Sequence, residues 1–160
     1  MTHAAIPGTF DPVTRGHLDI IERVSAMVDT VSVVVSHNHA KTPWFDSDQR
    51  VEFARQALAH CPNVTVVADD GLVARWCADH DVDVIVKGVR GARDLDSESA
   101  QAAVNRELTG VDTVFLPASA AYSHVSSTVV KDIAIHGGDI STMVTPLVAA
   151  AVRERASKLC

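Results

Sequence analysis

Short runs of β-branched and small apolar residues alternate along this chain with segments whose apolar positions recur at helical spacing. Ala4-Ala5-Ile6 reads as a short buried strand, and Leu18, Ile20, Ile21, Val24 and Val28 form a helical stripe ending near Met27-Val28-Asp29. Thr30 to Ser36 is a second strand. Asp46 opens the next helix, with Gln49 placed as the partner of a capping box and Val51, Phe53, Ala54, Ala57 and Leu58 as its apolar face. After the Pro62-Asn63 turn, Val64 to Val67 is a third strand, followed by a short helix from Leu72 to about His80. Val82 to Val86 is the fourth strand, and a helix covers Glu98 to Leu108. Thr113 to Leu116 is the fifth strand, ended by Pro117. A serine-capped helix then runs from Thr128 to His136 and stops at Gly137-Gly138. The last helix starts at Thr145-Pro146, with proline at its first position.

Strands that alternate with helices predict an α/β architecture: a Rossmann-like, doubly wound, five-stranded parallel sheet with helices on both faces. No repeat, linker or low-complexity tract divides residues 1–160, which is a suitable length for one domain with a full core. The net charge of −6 argues against general binding to nucleic acid or anionic membrane, so any anion-binding charge must be local. No run approaches a membrane span, and the N-terminus lacks a basic stretch leading into an apolar one, so a cytoplasmic location is expected. Cys61, Cys77 and Cys160 are odd in number and lack C-x-x-C spacing, which suggests neither a disulfide framework nor a zinc site.

The candidate chemistry starts at Pro7-Gly8-Thr9-Phe10-Asp11-Pro12-Val13-Thr14-Arg15-Gly16-His17, a tight turn between strand and helix. A helix N-terminus offers unpaired N–H groups and a positive dipole end, which suit a phosphate. Gly8 and Gly16 would allow close backbone approach, Thr9 offers a hydroxyl and His17 a ring N–H. Ligands of such sheets sit beyond the carboxyl ends of the strands. Those ends carry Thr9 and His17, then Lys41, then Lys87 and Arg90 in the basic exit Lys87 to Arg93, then Ser126 and Ser127. Blander readings stand beside these. Lys41 and Glu98 suit solvated surface positions, Ser126 and Ser127 suit a helix cap, and Arg93 suits a surface pair with Asp94 or Asp96. His37-x-His39 lacks a third metal ligand at a readable spacing. Met27 and Met143 suit core gaps, and Trp44 and Phe45 suit packing under the loop.

Gly8-Thr9-Phe10-Asp11-Pro12 with Thr14-x-Gly16-His17 resembles the signature of the nucleotidyltransferase superfamily that carries the (H/T)xGH motif. Three further landmarks follow in order: Lys41 before Pro43, Lys87-Gly88-Val89-Arg90, and Val125-Ser126-Ser127-Thr128 followed by Lys131. Together they resemble the bacterial phosphopantetheine adenylyltransferase family. The resemblance implies transfer of AMP from ATP to 4′-phosphopantetheine, giving dephospho-coenzyme A and pyrophosphate, in a homohexamer. It implies magnesium on the ATP phosphates with no protein side chain as metal ligand, and coenzyme A as a feedback ligand. Carried over by position, Thr9, Lys41, Val73 and Lys87 would touch phosphopantetheine. Thr9, Phe10, His17, Gly88, Val89, Arg90 and Glu98 would touch ATP, with Tyr122, Ser123, His124, Val125, Ser126, Ser127 and Thr128. His17, Thr9 and Lys41 are the catalytic candidates, with His17 stabilising the transition state.

The chain departs from the family pattern at Ile6, usually aromatic, and at Asp94-Leu95-Asp96-Ser97-Glu98, usually Asp-Phe-Glu-Tyr-Glu. It also departs at Arg93, usually uncharged, at Tyr122, often tryptophan, and at His124, usually an apolar aromatic. A phosphate monoester nucleophile arrives mostly ionised, with a second pKa of about 6, so direct in-line displacement needs no general base. Two alternatives remain: another superfamily member acting on nicotinate mononucleotide or a CTP-linked alcohol phosphate, and a non-catalytic ATP-binding domain.

Overall fold

A computed structural model describes residues 1–160. The elements in chain order are β1 (His3–Gly8), α1 (Arg15–Ser25), β2 (Thr30–Ser36), α2 (Ser47–Ala57), β3 (Val64–Asp69) and α3 (Val73–Asp79). They continue with β4 (Val84–Val89), α4 (Ala92–Thr109), β5 (Asp112–Pro117), α5 (Ser127–Ile135) and α6 (Pro146–Ser157). A single 3₁₀ turn at Ala120–Tyr122 lies between β5 and α5. The five strands form one parallel sheet in the order β3-β2-β1-β4-β5, as the alternation of elements predicts.

The strands are buried on both faces because successive residues point to opposite sides of the sheet. Ala4 and Ile6 of β1 and Val31, Val33 and Val35 of β2 join α1, α2, α5 and α6 in a core of 26 buried residues. Ala5, Val34 and Ile85 turn the other way, into a second core of only six buried residues, with Cys77 of α3, Val82 and Val111. The layering is therefore lopsided. The only buried residue of α4 is Asn105, while Leu95, Val104 and Leu108 are exposed, as is Val114 on the edge strand β5.

Several boundaries differ from the sequence expectation. β4 runs to Val89 rather than Val86, so Lys87, Gly88 and Val89 belong to the strand and not to its exit loop. Pairing with β5 in the register Lys87↔Phe115, Gly88↔Leu116 and Val89↔Pro117 overrides the glycine and lysine that read as a loop. α4 begins at Ala92 rather than Glu98, and the Asp94 carboxylate in its first turn accepts the Arg90 N–H at 3.0 Å, tying the end of β4 to the start of the helix. α1 ends at Ser25, which leaves Met27 62% exposed rather than in the core, whereas Met143 is packed against it. Phe45 is buried edge-on to Phe53, and Trp44 packs on the same cluster, as expected.

At Gly88 of β4, Ile20 of α1 packs directly on the sheet backbone. A Cβ there would meet Ile20 Cγ1 at 2.9 Å. Gly88→Ala is therefore expected to cost about 1–3 kcal/mol through overpacking. In an Ile20→Ala background the same substitution should cost less than about 1 kcal/mol, since the obstructing atoms are gone. Urea unfolding midpoints of the four proteins in this cycle check the coupling; equal costs in both backgrounds would place the constraint elsewhere.

Candidate active site

β1 and β2 pair over six positions, from His3↔Thr30 to Gly8↔Val35, and β4 and β5 also pair over six. β1 and β4 pair only at Ala4↔Val84 and Ala5↔Ile85. Beyond those residues the two central strands part. The chain leaves β1 toward β2 on one side and later fills β4 on the other, so this is the topological switch point where open α/β sheets bind ligands. A cavity of about 900 Å³ opens there, lined by the ends of β1, β2 and β4, the first turns of α1 and α5, and the inner side of α4.

His17 lies at the third position of α1, and Thr14 is the N-cap. The Thr14 N–H donates to His17 Nδ1 at 2.9 Å, and the His17 N–H donates back to Thr14 Oγ1 at 3.3 Å. A backbone N–H can only donate, so Nδ1 is unprotonated and a neutral His17 carries its proton on Nε2. Burial, then the charges of Arg90 and Lys87, lower its pKa from 6.5 to about 4. The ring is thus a neutral donor near pH 7. The edge of Phe10 packs on it with centroids 5.0 Å apart. Phe10 itself has φ of 47°, a left-handed conformation that costs a bulky residue about 1–3 kcal/mol.

Two buried ionic groups that the sequence reading did not single out hold the surrounding loops. Asp11, 4% exposed, accepts from Lys131 Nζ at 2.6 Å and from the Trp44 and Phe45 N–H groups at 2.9 and 3.0 Å. It thereby ties the β1–α1 loop to α5 and to the start of α2. Arg50 of α2, 1% exposed, donates to the carbonyls of Phe45, Thr9 and Ser36 and to Ser47 Oγ. Asp11 stands in the Gly8-to-Pro12 signature and Lys131 follows the last landmark, but the pattern by itself assigns neither a role, and an arginine in a helix such as Arg50 usually faces solvent.

The remaining candidates distribute unevenly. Lys87 approaches the Pro7 carbonyl and pairs with Glu98 at 3.2 Å across the cavity wall. Arg90 holds Asp94 with two side-chain hydrogen bonds of 3.0 and 3.3 Å. Burial works to raise the Asp94 pKa, but the hydrogen bonds and charge of Arg90 outweigh it and lower it. Asp94 is therefore the partner of Arg90 rather than of Arg93, which stands exposed. Lys41 lines the cavity, exposed and without a carboxylate partner, and Val73 lines it as well. Ser126 caps α5 by accepting the Val129 N–H at 3.1 Å, so this helix starts at Ser127, one residue earlier than expected. Ser127 Oγ donates to the Pro12 carbonyl at 2.9 Å.

Thr9, Phe10, His17, Gly88, Arg90, Glu98, Tyr122, Val125, Ser126, Ser127 and Thr128 all line the cavity; Val89, Ser123 and His124 do not. Gly8 serves a different end from the one expected. A Cβ there would sit 3.0 Å from the Phe10 ring, so its missing side chain makes room for Phe10 rather than for a ligand. At Gly16 an added Cβ would meet only ordinary contacts with Thr14 and Tyr122. His37 and His39 stand edge-to-face at 4.6 Å, and no group of three His, Cys, Asp or Glu side chains is placed to hold a metal ion. Burial, then the Asp69 charge, pushes the Cys77 thiol up to about 11, which makes it a poor nucleophile.

Comparison with known proteins bears on the family and the fold. A family model described as cytidylyltransferase-like matches residues 5–133. Phosphopantetheine adenylyltransferase of Bifidobacterium longum is 48% identical over 160 residues, covering 96% of each chain. The proteins of that name from Nocardioides sp. and Streptomyces coelicolor are 47% and 43% identical, over 92% and 97% of this chain. The chain belongs to the phosphopantetheine adenylyltransferase family. Its architecture also matches the solved structure described as "The Crystal Structure of a Putative Nicotinate-nucleotide Adenylyltransferase from Vibrio parahaemolyticus". That likeness has a TM-score of 0.67 at 20% identity, over 98% of this chain and 94% of that one, and it bears on the fold alone.

In this member of the family the neutral state of His17 makes a measurable claim. The folded protein resists protonating it, whereas the unfolded chain takes up that proton near pH 6.5. The His17 contribution to stability is therefore constant above that pH and is lost as pH falls from 6.5 toward 4. ¹⁵N NMR of the ring should show Nε2 protonated and Nδ1 bare at pH 7, with a midpoint below about 5. A midpoint near the ordinary histidine value would contradict the buried, cation-flanked setting.

Proposed function

We infer that this protein transfers the adenylyl group of ATP to 4′-phosphopantetheine, giving dephospho-coenzyme A and pyrophosphate. One observation carries the chemistry: the groups converging on the cavity are donors and cations. His17, Thr9, Lys41, Lys87 and Arg90 line it, and every lining carboxylate, namely Asp11, Asp94 and Glu98, is already matched to a cation. Such a site suits two anionic substrates, and it presents no cysteine and no unpaired carboxylate as a nucleophile. The choice of acceptor follows the name borne by relatives that span nearly the whole chain.

The reaction then runs as a direct in-line displacement. The phosphopantetheine phosphate is already mostly dianionic, with its second pKa at about 6, so it attacks the α-phosphorus without a general base. Bringing two anions together is the main obstacle, and Lys41, Lys87 and Thr9 would hold the incoming phosphate against that repulsion. His17 would donate Nε2–H to a non-bridging α-phosphoryl oxygen, where charge builds in the transition state. A neutral donor loses no proton to that oxygen and keeps its Nδ1 contact with Thr14 throughout. Asp11, Asp94 and Glu98 are already paired with Lys131, Arg90 and Lys87, so magnesium would be held by the nucleotide rather than by these carboxylates and would supply positive charge against its phosphates. Pyrophosphate leaves as the bond from the α-phosphorus to the oxygen bridging to the β-phosphate breaks.

A homohexamer in the cytoplasm, with coenzyme A as a feedback ligand of the same cavity, completes the proposal. The exposed Leu95, Val104 and Leu108 of α4 beside Val114 of β5 support assembly of copies over the thinly covered face of the sheet. No helix is long and apolar enough to cross a membrane.

Incubation with ATP and magnesium should release pyrophosphate only when phosphopantetheine is present, with dephospho-coenzyme A as the second product. Release with nicotinate mononucleotide alone would reassign the acceptor. ATP binding without turnover on any acceptor would favour a non-catalytic domain. His17→Ala should lower kcat by about 10²-fold or more with little change in ATP affinity, as loss of one transition-state donor does. Weakened ATP binding with normal turnover at saturation would contradict that role. Lys41→Ala and Lys87→Ala should each raise the KM for phosphopantetheine by about tenfold or more, and that for ATP much less. Equal losses for both substrates would assign these lysines to the nucleotide or to the fold.

A further inference from the structure

The β1–β2 ladder ends at Gly8↔Val35, and the next residue on each strand is Thr9 and Ser36. Their carbonyls do not go on to form a further β1–β2 rung, although Ser36 still pairs with Asp69 of β3. Instead a single nitrogen, Nη1 of Arg50, donates to both, at 2.8 Å to Thr9 and 2.9 Å to Ser36. The guanidinium acts as one more rung of the ladder, supplied from α2. It is itself held by Nε to the Phe45 carbonyl at 3.1 Å and by Nη2 to Ser47 Oγ at 3.3 Å. No carboxylate lies within ion-pair distance of it, although it is 1% exposed. Burying an unneutralised guanidinium is costly, and its hydrogen bonds to four acceptors offset that cost.

The two strand ends it joins lead directly into the candidate phosphate seats. β1 passes into Thr9 and Phe10; β2 passes into the loop that carries Lys41. The Thr9 carbonyl belongs to the peptide plane that also sets φ of Phe10, held at 47°, and the Phe10 ring rests on His17. Rotating that plane would release the strained turn and shift both the Thr9 hydroxyl and the histidine ring. We propose that Arg50 is a positioning residue for the reaction, fixing the Thr9 turn and the Lys41 loop at one separation so that both meet the same incoming phosphate. This rests on the adenylyltransferase reading above.

The test compares Arg50→Lys, Ser47→Ala and Val148→Ala, the last a core substitution in α6 away from the cavity that serves as a stability control. Arg50→Lys keeps a charge but replaces the five-donor guanidinium fork with a compact ammonium that cannot serve all four acceptors. It should raise the KM for phosphopantetheine by about tenfold, with the KM for ATP changing by less than about threefold. Ser47→Ala frees one edge of the guanidinium and should move the same ratio by roughly two- to fivefold while the protein stays folded. Val148→Ala should lower Tm and leave both constants alone. His17 ring ¹H–¹⁵N signals should shift in the Arg50 and Ser47 variants but not in the control. If Arg50→Lys does not fold, Ser47→Ala decides. Unchanged constants and unchanged His17 signals in the folded variants, or equal losses for both substrates, would overturn the proposal and leave Arg50 a structural residue. A wild type without turnover on phosphopantetheine would instead defeat the functional reading, and the His17 signals would then judge Arg50 alone.

Discussion

The site exists because β1 and β4 stop pairing after two positions while their outer neighbours pair for six. Once the central strands part, their last residues cannot satisfy each other's backbone groups, and the gap must be lined by something other than a ladder. Here it is lined by side chains. Lys87 sits on the parted segment of β4 and leans toward the Pro7 carbonyl, Arg50 takes the carbonyls at the ends of β1 and β2, and His17 faces the opening from the first turn of α1. The switch point thus fixes where a ligand binds and also why polar groups collect there.

Charge in this cavity is arranged so that little of it is loose. Asp11, Asp94 and Glu98 are each matched to a cation, and Arg50 is matched to carbonyl dipoles. Burial and the positive charge of Arg90 and Lys87 keep His17 neutral. That field does two things together: it favours anions in the cavity and prevents the histidine from becoming an acid. A neutral ring whose Nδ1 is held by the Thr14 N–H has one orientation and one tautomer, so its remaining N–H is aimed before any substrate arrives.

The two faces of the sheet contribute unequally. The face under α1, α2, α5 and α6 holds nearly all the core, so the elements bearing Thr14, His17, Arg50 and Lys131 are anchored on the well-packed side. The face under α3 and α4 has six buried residues, and α4 borders the cavity while packing only lightly on the sheet. Rigid positioning and a lightly packed wall therefore meet across one cavity.

Much of this was legible in the chain itself. Alternating strands and helices, together with the Thr9-to-His17 turn, determine a parallel sheet with phosphate chemistry beyond its carboxyl edge, because periodicity and turn residues are local properties. Single ends were not legible. The length of β4 depended on β5 lying beside it, and the early start of α4 comes with an Asp94 carboxylate turning back to Arg90. Nor could the chain reveal that Gly8 yields its space to Phe10, that Val89, Ser123 and His124 fall outside the cavity, or that His17 is neutral. Least legible were the role of Asp11, visible only as one letter of the signature, and Arg50, which in sequence looks like a solvated charge. Their roles come from partners 33 to 120 residues away for Asp11, and 5 to 41 for the three carbonyls around Arg50. Burial decides whether a charge is solvated or held by fixed partners, and burial is a property of the assembled fold, not of any residue in line.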